Sequence, residues 1–148
     1  MLSQTTEYAL RAIVLLAGAG AGNAMTVEQI ARGTSVPVGY LAKVMQGLAR
    51  ANLVSSQRGL HGGFVLLRPA SQVTVYDVVQ AVDPIMRITA CPRGLELHAD
   101  QLCALHRGLD NAMGSLETAF RRLTISSFIS QAQQRPALCN EPERGTGK

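Results

Sequence analysis

Residues 36–64 read VPVGYLAKVMQGLARANLVSSQRGLHGGF. Leu41, Val44, Met45 and Leu48 recur at i, i+3, i+4 and i+7, the spacing of an apolar stripe on one side of a helix. At 100° per residue, Gly39, Ala42, Lys43 and Gln46 fall on the other side, which is small, polar and singly charged. Pro37 suits the first turn of such a helix, so the spacing predicts a helix over 37–51. Leu53 to Gln57 and Phe64 to Leu67 then read as two short strands. Arg58-Gly59-Leu60-His61-Gly62-Gly63 joins them, and its glycines allow a tight tip with Arg58 and His61 at its end.

Upstream, residues 3–18 read as a nearly all-apolar helix, with Ser3 or Thr5 as its cap. After a Gly/Ala loop, Thr26-Val27-Glu28-Gln29 is a capping-box pattern that starts a short helix. Gly33 is expected to end it, with Thr34 and Ser35 in the turn. Two short helices across a tight turn, the second with a groove-sized outer face, make a helix-turn-helix. Downstream, Thr74 starts a helix with Val75, Val78, Val79 and Val82 on one stripe, expected to pack under the hairpin. Residues 85–106 read as irregular. From Leu109, the positions Leu109, Ala112/Met113, Leu116, Ala119/Phe120 and Leu123 repeat near every 3.5 residues, a seam for a second helix. Thr124 can cap a last short helix, and the polar segment from Gln133 reads as a disordered tail.

The expected fold is therefore mainly α: a winged helix-turn-helix domain with a two-stranded β-wing, plus a long C-terminal dimerisation helix. The expected boundaries are 1–83 for the winged domain, 84–108 for a cysteine/histidine loop, 109–132 for the dimerisation helix and short terminal helix, and 133–148 for the tail.

Charge agrees with this division. The 148 residues carry a net charge of +4. Residues 1–70 hold Arg11, Arg32, Lys43, Arg50, Arg58 and Arg68 against only Glu7 and Glu28, whereas the rest of the chain is balanced. A basic module suggests a polyanionic partner. The N-terminus lacks a basic signal-peptide start, and the run Ala9 to Ala21 is too short and too rich in Gly and Ala to span a bilayer. A cytoplasmic protein with no membrane partner is expected. In a reducing compartment the odd count of cysteines, Cys91, Cys103 and Cys139, argues against a disulfide framework. No nucleophile–base pair, phosphate loop or paired carboxylate stands out, so no enzyme is expected.

Several of these segments resemble the Rrf2 family of winged helix-turn-helix transcriptional regulators. They are Thr6-Glu7-Tyr8-Ala9-Leu10-Arg11-Ala12, Tyr40-Leu41, Leu53-Val54-Ser55-Ser56-Gln57-Arg58-Gly59 with Gly62-Gly63-Phe64, and the Val75-x-Asp77-Val78-Val79-x-Ala81-Val82 run. The resemblance implies a homodimer that reads a pseudo-palindromic operator in double-stranded DNA, with the long C-terminal helices crossing at the dimer interface. Gly39, Tyr40, Lys43 and Gln46 are then expected near the major groove and Arg58 in the minor groove. Thr26, Val38 and His61 complete the candidate DNA-contacting set. Gly39 and Ala42 stand where similar proteins often carry polar side chains, which shifts weight to Lys43, Gln46 and shape readout.

Iron–sulfur members of that family carry three cysteines in the segment corresponding to 91–103, and some add a histidine. Cys91, Cys103 and His106 match the first, the last and that histidine, while Leu97 occupies the middle position and cannot bind iron. The implied cofactor is an iron–sulfur cluster, [2Fe–2S], held by Cys91, Cys103 and His106 with His98 or Glu7 of the partner subunit as the fourth ligand. The same groups also admit a metal-free thiol pair, a zinc site or no ligand at all. In function, the expected reading is a repressor switched by the cluster or by cysteine redox state. The alternative is a winged-helix interaction module without DNA binding.

Overall fold

The computed structural model describes residues 2–60, 62–91, 102–131 and 138. Helix α1 spans Gln4–Gly18, and the Ser3 side chain accepts a hydrogen bond from the Thr6 N–H at its start. Helix α2 spans Val27–Thr34 and α3 spans Val38–Arg50. Strands β1 (Val54–Gln57) and β2 (Gly63–Leu66) pair antiparallel, with Val54 opposite Leu66 and Gln57 opposite Gly63. Helices α4 (Val75–Val82), α5 (Ala104–Arg122) and α6 (Ile125–Gln131) follow. This is the expected winged helix-turn-helix with a long C-terminal helix.

The core is aliphatic. Ala9, Ala12, Ile13 and Leu16 of α1 are buried with Ile30 of α2, Leu41, Met45 and Leu48 of α3, Val78 of α4 and Ile125 of α6. Each large side chain sealed in this way contributes on the order of 1.5–3 kcal/mol. The capping box expected at Thr26 forms reciprocally with Gln29, and the helix start at Thr74 also proves to be a reciprocal box, with Asp77. These caps are local, so they follow from four adjacent residues.

Four expectations change. Helix α2 does not stop at Gly33. It runs through buried Thr34, and Ser35 takes the left-handed conformation that ends it (φ 56°, ψ 39°). Gly33 instead lies under α1, where a Cβ would come within 2.7 Å of Leu15 Cδ2. Pro37 caps α3 from outside the helix: its ψ of 131° is extended, and its carbonyl accepts the N–H groups of Tyr40 and Leu41 at 3.1 and 2.9 Å. Helix α4 packs mainly on α1, α3 and α5 rather than under the wing. Gly47 of α3 permits the approach, since a Cβ there would touch Val82 at 3.4 Å and the Ala81 carbonyl at 3.6 Å. Finally, α5 begins at Ala104, not Leu109, with Cys103 as its N-cap. A cysteine makes no side-chain cap there, so the usual start signal is missing.

The wing has a third member that the hairpin pattern does not reveal. Met25 bridges Phe64, each N–H donating to the other's carbonyl at 3.0 and 2.7 Å. The approach requires glycine at position 63. A Cβ there would lie 2.5 Å from the Met25 carbonyl carbon and oxygen, and the residue has φ 152°. Gly63→Ala is expected to lower stability by roughly 1–3 kcal/mol. Gly39→Ala, on an open helical surface, should raise it by about 0.5–1 kcal/mol. Urea denaturation of the two variants checks this opposite pair of signs.

Candidate functional site

Five of the eight candidate nucleic-acid contacts lie on α3. Val38, Gly39, Tyr40, Lys43 and Gln46 are all exposed on α3, and Ala42 is half-buried. Leu41, Val44, Met45 and Leu48 hold the opposite side of the helix in the core, so the outer face cannot rotate inward. Arg58 is exposed immediately after β1, beside Gly59 at φ 115°. At Gly62 a Cβ would come within 2.6 Å of the Gln57 carbonyl oxygen, which is why the tip closes so tightly. His61 lies outside the described residues. Thr26 is half-buried, and its hydroxyl oxygen accepts the Gln29 N–H at 3.2 Å as the cap of α2.

Tyr40 has a structural partner. Its hydroxyl lies 2.6 Å from Thr5 Oγ1, and its ring meets Tyr8 edge-on at 5.3 Å between centroids. The first turn of α3 is thus clipped to α1. A groove of about 390 Å³ opens beside this clip, between Thr5, Tyr40, Lys43, Gly47, Arg50 and Val82. No sequence motif marks Arg50. The available signal was its position seven residues after Lys43, two turns on along the same face.

A second group of side chains meets at the start of α5. Cys103 Sγ lies 3.2 Å from His106 Nδ1, and Cys91 Sγ lies 4.0 Å from the same nitrogen. Both thiols are free and half-buried. The three residues expected to act together are therefore together. In donor type, two thiols and an imidazole suit iron–sulfur ligation. In geometry, both sulfurs face one ring nitrogen, and among the described residues no group of three or more His, Cys, Asp or Glu side chains is arranged to hold a metal ion. His98, Leu97 and Cys139 lie outside the described residues.

Glu7 is elsewhere in the same protomer. Its Oε1 pairs with Arg11 Nε at 3.0 Å, and it borders an apolar groove with Phe120 and Leu123, near the far end of α5. Cys103 is 17 residues before Phe120, about 25 Å along a helix. Within one protomer Glu7 cannot join the cysteines.

The residues preceding Cys91 are tied to α5. The Arg87 guanidinium donates to both Asp110 carboxylate oxygens at 2.7 Å and reaches Glu117 at 3.4 Å, while the Ile88 N–H donates to Asp110 Oδ1 at 2.9 Å. The Arg87 hydrogen bonds, then that N–H, hold the Asp110 carboxyl below its ordinary range, and Arg87 itself is raised. Arg121, then Tyr76 and Arg87, do the same for Glu117.

The sequence model of the family described as Rrf2, iron-dependent transcriptional regulator, matches residues 2–131. The chain belongs to the Rrf2 family. Protein aau3 of Rhizobium meliloti (strain 1021) is 30% identical over 135 residues, which is 90% of this chain and 87% of that protein. Among solved structures, CymR (YrzC), the global cysteine regulator of B. subtilis, superposes with a TM-score of 0.72 at 23% identity, over 88% of this chain and 96% of that one. T. potens IscR gives 0.75 at 19% identity, over 96% and 93%. At these identities the structural likeness speaks for the fold, and the family match makes this Rrf2 chain a transcriptional regulator rather than an enzyme. Among the described residues no helix is long and apolar enough to cross a membrane.

The clip at the start of α3 gives a test that needs no DNA. Tyr40→Phe removes the hydrogen bond to Thr5 and keeps the ring against Tyr8. It is expected to lower stability by about 0.5–1 kcal/mol, read from the midpoint of chemical denaturation with the slope unchanged.

Proposed function

We propose that this Rrf2 protein is a homodimeric repressor that reads a pseudo-palindromic operator in double-stranded DNA, with Cys91, Cys103 and His106 as its input. The observation that carries the DNA reading is the outer face of α3, where Gly39, Lys43 and Gln46 are exposed on a helix fixed by its buried stripe. Gly39 and half-buried Ala42 let that face approach bases closely. Lys43 and Gln46 supply hydrogen bonds to base edges or phosphate, and Arg58 on the wing enters the narrow, negative minor groove. Support for the dimer comes from α5, which buries none of its residues in this protomer and leaves Leu105, Leu109, Met113 and Leu116 exposed in one row. A second copy covers that row and sets the distance between the two α3 helices, hence the half-site spacing.

At the input, Cys91, Cys103 and His106 would hold an iron–sulfur cluster, and His98 or Glu7 of a second copy would complete the ligand set. When bound, such a cluster supplies a redox-sensitive link between the 85–91 segment and α5. The 3.2 Å approach of Cys103 to His106 favours a second reading, a metal-free thiol pair: a peroxide takes two electrons and two protons from Cys91 and Cys103, is reduced to water or alcohol, and the S–S bond formed locks the same two segments together. In either form, a change at the start of α5 is passed to the helix that spaces the two DNA-reading domains.

Duplex affinity measured against salt tests the DNA half. A phosphate-contacting dimer loses affinity steeply, with a slope near −0.9 per phosphate neutralised. An interaction module without DNA binding shows no such dependence. Arg58→Ala is expected to weaken operator binding by roughly 1–3 kcal/mol and leave the dimer intact in analytical ultracentrifugation. Operator binding equal to that of the unmodified chain would rule out the wing contact. Anaerobic purification tests the input: visible charge-transfer bands with iron and sulfide in near-equal amounts are expected for the cluster. A colourless, iron-free protein that still binds its operator would decide for the thiol pair.

A further inference from the structure

Along α5, Cys103, His106, Asp110, Gly114, Glu117 and Arg121 follow one another at intervals of three or four residues. They therefore form one stripe of the helix. Leu105, Leu109, Met113 and Leu116 form a different row, which stays exposed. The polar stripe receives the segment that leads to Cys91. Arg87 lies at its middle, bidentate to Asp110 and reaching Glu117, and the next residue gives its backbone N–H to the same Asp110 carboxylate. Three residues later, Cys91 arrives one helical turn nearer the start of α5, beside His106. The segment thus runs antiparallel to the helix, and its register is set at the Arg87 end.

Gly114 makes room for this arrangement. A Cβ there would lie 3.1 Å from the guanidinium carbon and both terminal nitrogens of Arg87. The planar group lies across the helix at Gly114, between an acid four residues before and an acid three residues after. A bidentate guanidinium fixes direction as well as distance, which an ammonium cannot do. The stripe continues into the winged domain: Arg121 pairs with Glu117 at 2.9 Å and lies 3.5 Å over the ring of Tyr76 on α4.

We propose that Arg87 is a positioning residue, whose clamp on Asp110 and Glu117 sets the register in which Cys91 faces Cys103 and His106. This rests on reading those three residues as the input, and it names the group that assembles them. Without the clamp, the segment before Cys91 keeps only the Ile88 N–H on α5, its register loosens, and the effective concentration of Cys91 at Cys103 falls.

Disulfide trapping tests the proposal directly. In a Cys139→Ser background, the protein is treated with diamide. This diazene takes up two electrons and two protons as the Cys91 and Cys103 thiols lose them and form one S–S bond. The clamped chain is expected to close rapidly. Arg87→Ala is expected to close about tenfold more slowly, with unchanged helical circular dichroism. Arg87→Lys should fall between the two, and Asp110→Asn, which keeps the side chain's size, should also slow closure. Closure of Arg87→Ala at the unmodified rate overturns the proposal. So does a failure of the clamped chain to close while both thiols remain open to alkylation. The input reading is checked separately: if Cys91→Ser and Cys103→Ser leave the response of DNA affinity to oxidant or iron loss unchanged, that reading falls, whatever the trapping rates.

Discussion

Helix α3 presents a fixed polar outer face because its other face is committed to the core. Leu41, Val44, Met45 and Leu48 are buried against α1 and α2, and rotating the helix by even one position would expose an apolar side chain and bury Lys43 or Gln46 without a partner. That one-sided burial orients every outward residue of the helix. The Tyr40–Thr5 clip holds its first turn and Gly47 admits α4 to its last, so the helix is pinned at both ends. The wing then takes its position from the same body through the bridge between Phe64 and Met25.

Helix α5 is built on a different plan. It buries no residue within the protomer, and it divides into an exposed leucine and methionine row and a polar stripe that holds the 85–91 segment and Tyr76. An apolar row without a cover is suited to a second copy. The polar stripe joins the 85–91 segment to Tyr76 of α4, the route that the proposed input would use. The two rows share one helix, so under the proposed function the distance between protomers would be coupled to events at its first turn.

Much of this was legible in the residues. The capping box at Thr26 and the helix start at Thr74 are read from four adjacent positions, and the apolar stripes of α1, α3 and α4 follow from the helical period. The resemblance groups Cys91, Cys103 and His106, and both sulfurs lie within 4.0 Å of the same His106 nitrogen. Less was legible where glycine serves packing instead of a turn. Gly33 looked like a helix terminator and turns out to sit under Leu15, while the left-handed residue is Ser35. The start of α5 was hidden because its N-cap is a cysteine, and Arg50 and Arg87 carried no motif.

The sequence by itself determined the local grammar: which segments are helices and strands, which face of each is apolar, where two of the caps lie, and which half of the chain is basic. These follow from interactions within four or so residues, whose periods are written directly in the order of side chains. Only the tertiary structure decided the rest: that Met25 joins the wing through the space left by Gly63, that Tyr40 belongs partly to α1, and that Arg87 finds Asp110 and Glu117. Each of these joins residues more than twenty positions apart, and such pairs are chosen by how the sealed core brings elements together, a constraint that no short window of sequence contains.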